Sequence, residues 1–163
     1  MVAELTMACT SDFSGLVRGK GFSTKDLAKR LETGVGWTPT NVQITCFDTI
    51  SDSPYGAIGD LVLAPDPETQ VAARLPGDRE LSFLLGDILG LDGEPWECCT
   101  RSILKAALDE LRSVSGLELR ASFEHEFMLP GGRGTRAFSL DGFSERQDIA
   151  IALFEALDSA NIQ

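Results

Sequence analysis

Residues 117–129, LELRASFEHEFML, alternate so strictly that one backbone geometry is favoured over the others. Leu117, Leu119, Ala121, Phe123, His125, Phe127 and Leu129 occupy one parity, and Glu118, Arg120, Ser122, Glu124, Glu126 and Met128 the other. A period of two predicts a β-strand with one face toward a core and His125 on that core side. On such a strand Glu124 and Glu126 project the same way, about 6.6 Å apart. At an effective dielectric of about 20 they repel by roughly 2.5 kcal/mol. A half-buried pair therefore calls for a proton, a basic neighbour or a divalent cation, and hard oxygen donors suit Mg²⁺ or Mn²⁺. A solvated outer face is the plainer reading of a bare Glu-x-Glu.

The chain around this stretch has 163 residues and a net charge of −11, which argues against nucleic acid or anionic membrane as partner. No apolar run reaches the roughly 20 residues of a membrane helix, and the N-terminus lacks the pattern of a secretory signal, so the expected compartment is the cytoplasm. Cys9, Cys46, Cys98 and Cys99 form neither a C-x-x-C pair nor a His-partnered spacing and read as reduced, mostly packed thiols.

Taken in order, residues 4–9 read as a strand, 11–15 as a turn and 16–18 as the returning strand. Arg18-Gly19-Lys20-Gly21 puts two cations among glycines, a pattern open to a phosphate or carboxylate but more simply a solvated turn. Ser23 to Asp26 has the form of a helix start, with Leu27, Ala28 and Leu31 as its buried stripe and Gly34 and Gly36 at its end. Residues 41–47 read as a strand delivering Asp48 to its end, and 49–59 as loop. Residues 60–64, 70–75 and 80–89 form a meander punctuated by Pro65-Asp66-Pro67 and Pro76-Gly77-Asp78. These strands around one helix predict an α+β roll of the β-grasp kind, bounded at Gly93-Glu94-Pro95-Trp96. Beyond it, Ile103, Leu104, Ala107, Leu108 and Leu111 predict a helix from Thr100 to Gly116 that feeds the Glu124 strand. A turn over 129–135 and a helix over 146–160, built on Ile149, Leu153, Phe154 and Leu157, complete the chain.

Several strings together carry a resemblance: Phe47-Asp48, Gly59-Asp60-Leu61-Val62-Leu63, Pro65-Asp66-Pro67-Glu68-Thr69, Gly86-Asp87-Ile88-Leu89, Arg101-Ser102-Ile103-Leu104-Lys105 and Phe123-Glu124-His125-Glu126-Phe127. In order and spacing the chain resembles the glutamine synthetase family. The resemblance implies a β-grasp domain over residues 1–97, then the opening helix, strand and helix of a catalytic domain over 98–163, an incomplete α/β segment. It implies an ATP-dependent ligase that makes γ-glutamyl phosphate from glutamate and lets ammonia or an amine displace the phosphate, with Mg²⁺ or Mn²⁺ organising the reactants. Glu126 resembles a ligand of the metal nearest glutamate, and Glu124 one nearest the ATP phosphates. Asp48 and Asp60 resemble the acids by which one subunit completes a neighbour's active site in a homo-oligomer. Asp48-Thr49-Ile50-Ser51 stands where glutamine-forming members usually carry Asp-Gly-Ser-Ser, and Arg18-Gly19-Lys20 is more like the branch that glutamylates polyamines or other amines. The acceptor is thus ammonia, a polyamine or another amine. Because family chains run to several hundred residues, the resemblance implies an N-terminal fragment, inactive alone. The competing expectation is a free-standing β-grasp module that docks on a full-length ligase and modulates it.

Overall fold

In the computed structural model, residues 4–75, 79–127 and 136–162 are described. The expected turns at Pro76–Asp78 and over 129–135, with Met128 and Leu129, lie outside the described residues. The fold is α+β: a six-stranded mixed sheet with few helices, in the β-grasp manner. Strands β1 (Leu5–Ser11) and β2 (Val17–Ser23) form the opening antiparallel hairpin. Arg18 and Lys20 accordingly sit within β2 rather than in a turn. A turn of 3₁₀ helix, Thr24–Asp26, leads into helix α1 (Leu27–Thr33).

Gly34 ends α1 at φ 67°, its N–H donating to the Arg30 carbonyl. Only glycine fits there: an added Cβ would stand 2.2 Å from Val62 Cγ1. Strand β3 (Val35–Trp37) follows immediately, a three-residue element too short for periodicity to register. The strand expected over 41–47 does not form. Pro39 opens a 3₁₀ turn, Pro39–Val42, and the chain then makes only a single bridge, Ile44 to Ile50. Proline preset the turn conformation and removed a ladder donor.

Strands β4 (Leu61–Pro65), β5 (Val71–Leu75) and β6 (Arg79–Leu89) match the expected strand positions within a residue, but they do not form the expected meander, since β4 and β5 each pair with β6. β6 runs parallel to β1 along one edge and antiparallel to β4 and β5 along the other. Alternation on β4 and β6 buries Leu61, Leu63, Leu84 and Ile88, which meet Ala8, Phe22, Val35, Trp37 and Val42 in one core. Leu27 and Trp96 pack at its margin. The rest of the α1 stripe is not buried: Ala28 and Leu31 face outward on the surface helix.

Helix α2 (Thr100–Ser115) is capped by the Sγ of buried Cys99, one residue before the expected Thr100, and ends at left-handed Gly116. It is tied to the sheet by polar contacts. Thr100 Oγ1 donates to the Ser11 carbonyl at 3.0 Å. The Arg101 guanidinium bridges Asp66, at 2.6 Å, and Asp87, at 3.2 Å, while Lys105 also pairs with Asp87. All four cysteines are free; Cys9 and Cys99 are buried, whereas Cys46 is exposed. Among the described residues no helix is long and apolar enough to cross a membrane.

The strand expected over 117–129 is absent from its described part. Residues 117–127 have no ladder partner among the described residues and are exposed throughout. Alternation chooses the faces of a strand but does not supply the neighbour whose N–H and C=O groups make it one. His125 therefore lies in no core; its ring sits 6.3 Å from that of Phe123, as expected of residues two apart on extended chain. A helix not anticipated, α3 (Leu140–Glu145), is capped by Ser139 and precedes α4 (Gln147–Ser159), which lies against β5. On α4, Ile149 and Leu157 are half-buried, whereas Leu153 and Phe154 face solvent.

Two predictions follow from this packing. Gly34→Ala should cost about 1–3 kcal/mol through the left-handed backbone and the Val62 clash, read as a lowered urea midpoint. Arg101→Ala should cost about 1–3 kcal/mol at pH 7. The Arg101 hydrogen bond holds the Asp66 carboxyl below its ordinary range, against a smaller upward push from burial. A depressed folded value stabilises above the unfolded pKa, about 3.9, and the gain is lost as pH falls through the folded value. The gap between wild type and Arg101→Ala in urea denaturation should therefore be full at pH 7 and narrow below about pH 4.

Candidate acceptor-side site

Asp48 and Asp60 both lie in the loop between the 3₁₀ turn Pro39–Val42 and β4, Asp60 immediately before the strand. Both are exposed, Asp48 with 86% of its side chain accessible. Asp48 has φ 57°, a left-handed conformation that aspartate tolerates better than most residues. Its turn is closed by Asp48 N–H donating to the Thr45 carbonyl at 3.0 Å and Thr45 N–H to the Thr49 carbonyl at 2.7 Å. Buried Gln43 anchors the next segment. Its carbonyl accepts from Ser51 N–H and Oγ, and its Oε1 accepts from Ser53 Oγ at 2.7 Å. Further along, the Tyr55 hydroxyl donates to Glu97 at 2.7 Å while its ring meets Trp96 edge-on at 5.3 Å. The Cys98 and then the Glu97 side chains hold the Tyr55 phenol above its usual range. The loop bearing both acids is thus pinned to the roll at one point and to the segment leading into α2 at another.

Beside the loop lies a charged arrangement that periodicity gave no reason to expect. Asp12 is 2% exposed; its Oδ1 accepts from the amides of Ser14 and Leu16, and its Oδ2 from Arg18 Nε at 2.7 Å. Burial pushes the Asp12 carboxyl up, but the Arg18 bond and the two amides overcome that push and leave it below its ordinary range. The signal was local: an Asp two residues before Ser and three before a positive-φ Gly is an Asx-turn pattern. Arg18 Nη2 reaches toward Asp48 Oδ1, 3.7 Å away. A shallow cleft of about 200 Å³ adjoins it, lined by Arg18, Gly19, Lys20, Trp37, Asn41 and Ile44. Lys20 Nζ donates to the Gly36 carbonyl at 2.6 Å and lies 5.9 Å from the centre of the Trp37 ring.

Glu124 and Glu126 occupy the exposed, unpartnered stretch after α2. As donors they fit a hard divalent cation, but two carboxylates are few of the roughly six oxygens Mg²⁺ requires. Among the described residues no group of three or more potential His, Cys, Asp or Glu ligands gathers there. In water, with a dielectric near 80, the repulsion between them falls to about 0.6 kcal/mol. Glu126→Ala should accordingly change stability by no more than about 0.5 kcal/mol, and calorimetric titration with Mn²⁺ should register only weak binding. Marked unfolding of the variant would reveal a structural carboxylate instead.

Comparison with known proteins bears on the whole arrangement. Residues 2–96 match the sequence model of the glutamine synthetase N-terminal domain. Type-1 glutamine synthetase 1 of Dictyostelium discoideum is 29% identical over 131 residues, covering 74% of this chain and 26% of that protein. The glutamine synthetase of Methanosarcina mazei is 28% identical over 120 residues, covering 73% of this chain and 25% of its own length. A crystal structure described as a novel glutamine synthase homolog superimposes with a TM-score of 0.80 at 29% identity, covering 99% of this chain and 39% of that one. The chain spans about a quarter of the length of the curated relatives it matches. With more than half of its residues matching the domain model, on an α+β roll shared with a solved homologue, the chain belongs to the glutamine synthetase family.

Proposed function

We propose that the chain is the acceptor-side portion of an ATP-dependent glutamate–ammonia or glutamate–amine ligase, inactive without the remainder of a catalytic domain. The match of residues 2–96 to the glutamine synthetase N-terminal domain carries this reading, and Asp48 and Asp60 both lie exposed within the matched span. Residues 1–97 would form the β-grasp unit and 98–163 the opening of the catalytic domain. ATP phosphorylates the glutamate γ-carboxylate, giving the acyl phosphate and ADP. An ammonium or alkylammonium ion must then lose a proton before its nitrogen can attack, and phosphate leaves as the amide bond forms. Asp48 takes that proton and Asp60 helps hold the incoming cation, both serving the site of a neighbouring subunit in a homo-oligomer. Their exposure supports such sharing, since a carboxylate that completes another subunit's site must reach the surface of its own. Glu124 and Glu126 would contribute to holding Mg²⁺ or Mn²⁺, which when bound neutralises phosphate charge. The reaction draws on ATP and glutamate, and its place is the cytoplasm.

A second reading is a free-standing module that docks on a full-length ligase. The outward apolar residues Ile103 and Leu104 on α2 and Phe123 and Phe127 beyond it favour a covering polypeptide, whether the same chain or another. The two readings separate on the complete product of the gene that carries this sequence. A longer ligase that forms γ-glutamyl amide supports the first, and a product ending at Gln163 that co-purifies with a full-length ligase supports the second. In the active form Asp48→Asn should lower kcat/KM for the amine by about 10²–10⁴-fold. Glu126→Ala should abolish the chemical step, read as loss of amine-dependent ADP release. The 163-residue chain by itself should release no ADP.

A further inference from the structure

We propose that Arg18 is a positioning residue for Asp48, held in place by the buried carboxylate of Asp12. The proposal rests on the reading of Asp48 as the acceptor-side acid and adds the device that aims it. Asp12 is fixed first, by two backbone amides of its own hairpin turn on Oδ1. Its remaining oxygen takes Arg18 Nε at 2.7 Å, which orients the planar guanidinium rather than merely attracting a charge. Arg18 Nη2 is then enclosed, finds no hydrogen-bond acceptor among the described residues, and faces Asp48 Oδ1 at 3.7 Å. An enclosed donor without an acceptor is costly, so the free energy of the pair favours a turn conformation that keeps Asp48 within reach. Asp48 sits in a left-handed backbone at φ 57°, a sparsely populated region that aspartate tolerates and that the ion pair to Arg18 helps to hold.

Lysine could not do this. A single ammonium on a flexible stem cannot bond Asp12 and reach Asp48 through a rigid fork at once. Lys20, two residues along the same strand, is in any case committed to the Gly36 carbonyl. The brace also explains why a buried acid is placed in a hairpin turn whose own geometry needs only the two amide bonds: the charge of Asp12 is used to set a cation, and the cation to set an exposed carboxylate.

The test separates bracing from bulk structure. Arg18→Met alone would strand a buried carboxylate, so it is paired with Asp12→Asn. In the 163-residue chain, hydrogen exchange at the Asp48 and Thr45 amides should rise about two- to five-fold relative to core amides of β6 in the double variant, the range of an exposed ion pair. Asp48→Asn should produce a similar rise, and adding the pair to Asp48→Asn should produce no more. Arg18→Lys should behave as the double variant does. In the complete gene product the double variant should lower kcat/KM for the amine while leaving KM for ATP unchanged, with no further loss in an Asp48→Asn background. Unchanged loop exchange, additive losses with Asp48→Asn, or full rescue by Arg18→Lys would each overturn the brace. Undiminished turnover in Asp48→Asn alone would overturn instead the reading of Asp48 as the acceptor-side acid.

Discussion

An eleven-residue strand has more edge than any single partner strand among the described residues satisfies, and the roll is arranged around that problem. Strand β6 fills one edge with β1 and the other with β4 and β5 in succession. Between them the chain must leave the ladder and return without stranding backbone groups. Pro65 and Pro67 lack the donors that would continue β4, and Asp66 caps the intervening 3₁₀ turn through Glu68 N–H. At the gap, the Leu85 carbonyl accepts from Asp66 N–H at 2.7 Å and the Leu85 amide donates to Thr69 Oγ1 at 2.8 Å. Thr69 thus stands in for a missing strand residue. The free oxygen of Asp66 takes Arg101, and Asp87, facing it from β6, takes Arg101 and Lys105. Three strings that carry the family resemblance, around Asp66, Asp87 and Arg101, are therefore one structural joint.

The sheet was legible where its periods were long enough. β1, β4, β5, β6 and α2 follow from alternation, helical spacing and glycine or proline punctuation, with boundaries displaced by a residue or two. β3 was illegible because Val35-Gly36-Trp37 holds too few residues to show a period, yet Val35 and Trp37 enter the core. Residues 41–47 misled in the opposite direction. Val42 and Ile44 have strand-forming side chains, but Pro39 upstream and the Thr45 turn downstream decide the backbone. The stretch over 117–127 shows the limit most plainly, since a perfect alternation without a partner is only extended chain.

The candidate site divides along the same line. Asp48 and Asp60 were found by resemblance to family strings, and no periodicity distinguishes them from other surface acids. The carboxylate pair at Glu124 and Glu126 was found by alternation, but its energetic argument assumed burial. Exposure weakens the repulsion about four-fold, because the dielectric and not the spacing sets its size. What neither route found was Asp12, buried in a hairpin turn where composition predicts solvated acids. Its burial is tolerable because three donors converge on it, and sequence spacing alone does not show that Arg18, six residues away across the turn, is one of them.

Helix α2 shows what polar fixing accomplishes that apolar packing would not. It buries no residue, and Ile103, Leu104 and Leu108 remain at least a third exposed. Hydrophobic contact is non-directional and would have drawn this stripe onto the nearest apolar surface. Instead the helix is held at its first turn by the Cys99 cap, the Thr100 bond to Ser11 and the Arg101 fork on two carboxylates. Hydrogen bonds and bidentate ion pairs fix direction at modest net energy. The helix axis is thereby set by its polar end, and the apolar stripe is left facing outward. The exposed Phe123 and Phe127 continue that uncovered surface past Gly116.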